Sequence, residues 1–259
     1  MINCKCTFDS MILGTRMNVD VYLPHPFNYL QEVSDYQKHY KLGPFKTLYL
    51  FHGVWNSGEQ WVENTSILRY AEEENMAVVI LNVGNSYYAN AYDGKRFENF
   101  VVEELIGFVR GIFPLSEKRE DNFALGMSMG GYGILNIAFK YPHIFSKCAM
   151  LSPVTDIVYS IRFLKTLGLP AEGIFGKWKD LRGSKFDLKV IFEENEKNMR
   201  DFPEILVIYG NKDDMTPGTK DFKEFLDAKG FKADFREYEG GHTWQFWDEH
   251  TKECIDFIR

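Results

Sequence analysis

One short stretch constrains this chain more than any other: Asn122-Phe-Ala-Leu-Gly126-Met127-Ser128-Met129-Gly130-Gly131. An apolar run leads into Gly-x-Ser-x-Gly, and Ile134, Leu135, Ile137, Ala138 and Phe139 then recur at helical spacing. A strand that ends, a sharp turn at a serine and a departing helix together make a nucleophile elbow. Gly126 and Gly130 let strand and helix crowd together, and Ser128 takes the strained conformation that exposes its hydroxyl. The amides after the serine open a helix N-terminus, where negative charge is stabilised. Serine-based acyl transfer is the chemistry this stretch implies. Gly-x-Ser-x-Gly also arises as an ordinary Gly-rich turn, so the reading depends on partners elsewhere in the chain.

A serine hydroxyl needs a base to take its proton, and the base needs an acid to orient it. With an elbow of this kind the acid and then the histidine follow the serine in the chain. The apolar run Glu204-Ile-Leu-Val-Ile-Tyr-Gly210 is followed by Asn-Lys-Asp213-Asp214-Met-Thr-Pro217, which puts carboxylates at a strand's C-terminal end. After the run from Ala233 to Tyr238 comes Glu239-Gly-Gly241-His242-Thr-Trp244, which puts a histidine at the next one. Asp213 and Asp214 compete for the acid role. The Gly-x-x-Asp spacing and the proline four residues on favour Asp213, with Asp214 as a solvated turn residue.

The remaining histidines fit less well. His25, His39 and His250 fall in loop or surface-helix contexts, and His143 follows Tyr141-Pro142. His52 ends the apolar run Thr47-Leu-Tyr-Leu-Phe51 and reads as a structural residue that bonds backbone in its loop. Just past it, Gly53 faces the substrate region and the Val54 amide can join the Met129 amide in holding an oxyanion. Trp55, Trp61, Trp244 and Trp247 could wall a pocket. With aromatic residues at 16% of the chain, core packing explains most of them, and Trp244 is the one kept as a substrate-binding candidate.

Elsewhere apolar runs alternate with amphipathic ones. Met17-Asn-Val-Asp-Val-Tyr-Leu23 has period two, so the first segment reads as paired antiparallel strands. A connection containing Pro24, Pro26 and Pro44 follows. Buried strands are expected at 47–51, 76–82, 122–127, 146–152, 204–210 and 233–238. Helices are expected at 60–74, 97–113, 217–229 and 245–258. This alternation implies α/β architecture, a mostly parallel sheet with helices on both faces. Residues 153–203 break the pattern. They are rich in apolar side chains (Ile157, Val158, Ile161, Phe163, Leu164, Leu167, Leu169, Ile174, Phe175, Trp178) and lack a core strand, which reads as a helical cap inserted after the sixth strand. The expectation is one domain over 1–259 with that insertion.

With 259 residues, 45% of them hydrophobic, the chain can bury a large core. Its net charge of −7 argues against nucleic-acid or anionic-membrane partners, and no stretch is apolar enough to span a bilayer. Cys4, Cys6, Cys148 and Cys254 have no metal-ligand or redox spacing and read as buried free thiols. The N-terminal residues lack a signal-peptide layout, so a cytoplasmic location is expected. Neither a Gly-rich phosphate loop nor a His-Glu-x-x-His pattern occurs, so no cofactor and no metal are expected. Assembly into a homo-oligomer is left open.

The pieces Phe51-His-Gly53, Gly126-Met-Ser-Met-Gly-Gly131, Tyr141-Pro142, Gly210-Asn-Lys-Asp213 and Gly240-Gly-His-Thr-Trp-Gln-Phe-Trp247 resemble the esterase D-like branch of the α/β hydrolases. The likeness is to its small tributyrin, acetyl and feruloyl esterases in particular. Phe175-Gly176 and Leu181-Arg-Gly-Ser184-Lys-Phe-Asp-Leu188 resemble that branch's insertion. The resemblance implies an α/β-hydrolase fold and a carboxylesterase acting on a small-molecule ester, of short acyl or aryl type. It also implies a Ser128–Asp213–His242 triad and no cofactor. Related branches include S-formylglutathione hydrolases and acyl transferases, which keeps a thioesterase or transferase as the alternative. A non-catalytic small-molecule binder is the alternative from another class. The segment Asn82-Val-Gly-Asn-Ser-Tyr-Tyr-Ala-Asn90 is less typical of the branch.

Overall fold

The computed structural model describes residues 1–25, 43–166, 168 and 171–259. Pro26, His39, Leu167 and Leu169 lie outside these, as does the side chain of Trp178. Eight strands form one sheet in the order β1-β2-β4-β3-β5-β6-β7-β8. They are β1 (Ile2–Ser10), β2 (Thr15–Leu23), β3 (Lys46–Phe51), β4 (Met76–Leu81), β5 (Asn122–Met127), β6 (Lys147–Leu151), β7 (Glu204–Gly210) and β8 (Asp234–Tyr238). β2 runs antiparallel to both its neighbours and the other pairings are parallel. The unbroken apolar runs of β3 to β7 are buried on both faces, whereas the alternating β1 is half exposed.

Because successive strand residues point to opposite faces, the same runs feed two cores. Leu48, Leu50, Val78 and Ile80 pack with Trp61, Ile67, Ala71 and the helix ending at Ile258. Tyr49, Phe51 and Val79 pack on the other side with Leu105, Leu135, Ile137 and the residues of the insertion. The first face is covered by α1 (Gln60–Asn64), α2 (Ile67–Glu73) and, after β8, the last helix, Trp244–Ile258.

The predicted helix at 60–74 is two helices. Thr65 turns its hydroxyl back to the Trp61 carbonyl, accepts from the Ile67 amide and takes an extended backbone, which ends α1 and starts α2. A threonine hydroxyl competing with the helical ladder in this way is a local choice that periodicity does not report. The segment predicted as a helix at 97–113 is helical throughout. α3 (Phe97–Asn99) passes through π-helical turns at Phe100–Leu105 into α4 (Ile106–Ile112).

The elbow joins β5 to α5 (Met129–Lys140) through Ser128, whose backbone is left-handed at φ 52°, ψ −119°. A non-glycine residue there costs about 1–3 kcal/mol and persists only where its surroundings over-determine it. The Ser128 amide donates to Leu151 O at 3.0 Å, and its carbonyl accepts from Val154 and Gly131, each at 3.0 Å. Strand and helix meet too closely for a side chain. A Cβ on Gly126 would lie 2.8 Å from Ile134 Cδ1 and 2.9 Å from Phe51 Cβ, and one on Gly130 would run into the Phe51 carbonyl.

Between β6 and β7 the described residues hold α6 (Ile157–Thr166), α7 (Glu172–Phe175) and α8 (Leu188–Asn195) and no strand, as expected for the helical insertion. α9 (Thr216–Ala228) and α10 (Trp244–Ile258) follow β7 and β8. All four cysteines are unpaired; Cys148 and Cys254 are buried as expected, whereas Cys4 and Cys6 are only half-buried because they lie on the half-exposed β1. Among the described residues no helix is long and apolar enough to cross a membrane.

The packing separates two Gly→Ala changes. Gly126→Ala should lose about 1–3 kcal/mol to overpacking. Gly107, within α4, has open space where a Cβ would go, so Gly107→Ala should gain up to about 1 kcal/mol from helix propensity. Urea unfolding of the two variants against the parent checks both signs.

Candidate active site

Parallel strands deliver their loops to one edge, and four of those loops converge here. The turn after β5 carries Ser128, the loop after β7 carries Asp213, the loop after β8 carries His242, and the loop after β3 carries His52 to Asn56. His242 Nε2 lies 2.9 Å from Ser128 Oγ, and His242 Nδ1 lies 2.9 Å from Asp213 Oδ2. Asp213 is buried and its other oxygen, Oδ1, accepts from the Met215 amide at 2.8 Å. Asp214, one residue on, is exposed. The geometry therefore brings Asp213, and not Asp214, to the histidine.

Burial alone would push the Asp213 carboxyl up, but the His242 imidazole, the Ser152 hydroxyl and the Met215 amide together hold the carboxyl below its usual range. An ionised carboxylate can only accept, so Nδ1 carries the proton and Nε2 presents its lone pair to the serine hydroxyl. The arrangement can move a proton from Oγ to Nε2 while the carboxylate holds the ring in place.

The loops after β7 and β8 are locked together, which fixes acid and base relative to each other. Lys212 N donates to Gly240 O at 2.8 Å and Asn211 N to Tyr238 O at 2.8 Å. Gly240 is pressed against the Phe246 ring, which leaves no room for a side chain. Thr243 then caps α10 by accepting from Phe246 N at 3.3 Å. One turn in, Trp247 meets the His242 ring edge-to-face at 5.0 Å.

The Met129 amide opens α5 and the Val54 amide follows Gly53. Neither donates to a protein acceptor among the described residues. Gly53 is close enough to the elbow that a Cβ there would sit 3.4 Å from Ser128 Cβ. His52 is fully buried and acts as the expected strut. Its Nδ1 donates to Gly53 O at 2.8 Å and its Nε2 accepts from the Val83 amide at 3.2 Å, while burial lowers its basicity. His250 is engaged with Glu253 and stacked on Tyr238.

A cavity of about 180 Å³ opens at Ser128 and His242, walled by Val54, Trp55, Tyr87, Phe163, Leu164 and Trp247 among others. Trp244, expected at the pocket, packs between Trp61 and Trp247 and is not part of this wall. Sequence reasoning did not single out Tyr87, Ser160, Phe163, Leu164 or Met215 as lining residues. α6 supplies three of these from the insertion, so the apolar richness of 153–203 was the available signal. Among the described residues no group of three or more His, Cys, Asp or Glu is placed to hold a metal ion.

The model of the Esterase family matches residues 10–253. An acetyl esterase from Caldicellulosiruptor saccharolyticus is 29% identical, the alignment covering 86% of each chain. The substrate-bound structure of the fluorophosphonate-binding serine hydrolase F of Staphylococcus aureus superposes with a TM-score of 0.86 at 28% identity, covering 99% of this chain and 98% of that one. An S-formylglutathione hydrolase from the same organism gives 0.85 at 29% identity with the same coverage.

A proton shared between His242 Nδ1 and Asp213 should give a far-downfield resonance in the proton NMR spectrum. Asp213→Asn should abolish that signal and Asp214→Asn should leave it in place.

Proposed function

The chain belongs to the Esterase family and is a serine esterase with the α/β-hydrolase fold, and from that premise we propose that Ser128, His242 and Asp213 form its triad and that its substrates are carboxylic esters of short acyl groups. The unbroken chain of contacts from Asp213 Oδ2 through the imidazole to Ser128 Oγ, each at 2.9 Å, carries the reading.

His242 Nε2 takes the hydroxyl proton as Ser128 Oγ attacks the ester carbonyl. The carbonyl oxygen gains negative charge and lies where the Met129 and Val54 amides can donate to it, with the α5 N-terminus adding a favourable dipole. His242 then gives the proton to the leaving alkoxide, and the alcohol departs. A water, deprotonated by the same nitrogen, attacks the acyl-enzyme and releases the acid, which restores the serine. Asp213 stays ionised throughout and stabilises the imidazolium that forms at each step.

Cavity size supports a short acyl group. At about 180 Å³ the space is well below the roughly 300–1,000 Å³ of pockets that enclose drug-sized ligands. The acyl group remains on Ser128 and needs an enclosed place, whereas the alcohol must leave past the exposed Trp55 and Phe163 at the rim. A thioester reading would keep the same acyl-enzyme and change only the leaving group. Among the described residues no lysine or arginine lines this cavity to meet the carboxylates of a glutathione moiety, which favours simple esters.

Hydrolysis of p-nitrophenyl acetate through octanoate should peak at the short chains. Ser128→Ala should lower kcat by on the order of 10⁴–10⁶-fold. His242→Ala should lower kcat by a factor of the same order, as expected of a base that acts as one unit with the serine.

A further inference from the structure

The wall of the cavity carries a polar pair that the chemistry at Ser128 does not use. Tyr87, from the loop after β4, and Ser160, from α6, are both buried and both line the cavity. Their hydroxyl oxygens are 2.6 Å apart, and either can be the donor. Each hydroxyl has one hydrogen and their mutual bond uses one of the two. Neither oxygen has any other hydrogen-bond partner among the described residues. One hydroxyl hydrogen is therefore left over in a mostly apolar space, and a buried donor without a partner ordinarily costs about 1–3 kcal/mol.

The backbone at this point is built at a cost as well. Tyr87 and Tyr88 are consecutive left-handed residues, at φ 55° and 54°. Strain of about 1–3 kcal/mol at each is characteristic of functional sites. Tyr88 is held by its hydroxyl on His52 O at 3.2 Å, and its ring fills the space that Gly133 leaves open. The Tyr87 ring is clamped edge-to-face by Phe175 at 4.9 Å and Tyr132 at 5.7 Å. The phenol is thus fixed with its oxygen toward Ser160, and burial keeps it un-ionised and able to donate. This loop belongs to the segment 82–90, which reads from sequence as less typical of the esterase branch.

We infer that the Tyr87–Ser160 pair selects the acyl group, donating its spare hydrogen to an acceptor oxygen carried beyond the carbonyl, so that the preferred substrates are short hydroxy-, alkoxy- or oxo-acyl esters. The inference rests on the reading of Ser128 as the acylated residue. A plain alkanoyl group leaves the hydrogen unpaired, and a site built to bond an oxygen discriminates against the analogue that lacks it.

Pairs of isosteric esters test this: p-nitrophenyl methoxyacetate against butyrate, and 3-methoxypropionate against valerate, each rate divided by that ester's own hydroxide-catalysed rate. The corrected kcat/KM should favour the oxygen-bearing ester by about five- to tenfold in at least one pair, the worth of one neutral hydrogen bond. Tyr87→Phe and Ser160→Ala each keep one hydroxyl and should each keep most of the preference. The double variant should bring the ratio to about one. Removing both partners of a buried bond is close to neutral for stability, so the double variant should fold, which its thermal transition checks.

Equal corrected rates in the wild type would overturn the inference, since an enclosed water would then be satisfying the pair, and so would a preference that survives in the double variant, since another group would then be its source. Hydrolysis of butyrate that disappears in Ser128→Ala while the isosteric pairs show no preference sinks this inference alone. Hydrolysis unaffected by Ser128→Ala sinks the reading of the triad.

Discussion

The left-handed backbone of Ser128 is the constraint on which the rest of the site depends. It is tolerable because three different elements bond to it: β6 through Leu151 O, the following segment through Val154 N and α5 through Gly131 N. It is possible at all because Gly126 and Gly130 let β5, β3 and α5 approach more closely than side chains permit. Once Ser128 is fixed at the end of a central parallel strand, the base and acid need only come from strands further along the same edge. β7 and β8 supply them, and the bonds between the Asn211–Lys212 and Tyr238–Gly240 backbones make the two loops one unit.

The elbow was legible because its requirements are steric, and a glycine that must be a glycine shows in sequence. Acid and base were legible because each follows an unbroken apolar run, the mark of a strand buried on both faces. The choice of Asp213 over Asp214 was harder, since neighbouring carboxylates in a turn look alike. What separates them is a backbone bond from Met215 that turns one inward. Trp247, rather than Trp244, stands at the cavity for a similar reason. The cap at Thr243 starts α10, so the residue one turn in, not the first residue of the helix, comes back over His242. The left-handed Tyr87 and Tyr88 were not legible, because nothing in a tyrosine's chemistry favours positive φ; tertiary contacts impose it.

Elements at the ends of β3, β5, β7 and β8 carry the groups assigned to bond making and breaking. The loop after β4 and helix α6 of the insertion add Tyr87, Ser160, Phe163 and Leu164 to the cavity wall, beside Val54 and Trp55 from the loop after β3. Family membership settles that the chain is a serine esterase. The non-catalytic alternative raised by the sequence is set aside by that membership.

The mechanism stands on Ser128 Oγ becoming acylated. A fluorophosphonate probe, followed by proteolysis and mass spectrometry, measures this directly. One adduct is expected, on the peptide carrying Ser128, absent from Ser128→Ala and formed far more slowly when His242 is replaced by alanine. An adduct on any other residue, or undiminished labelling of Ser128→Ala, would contradict it.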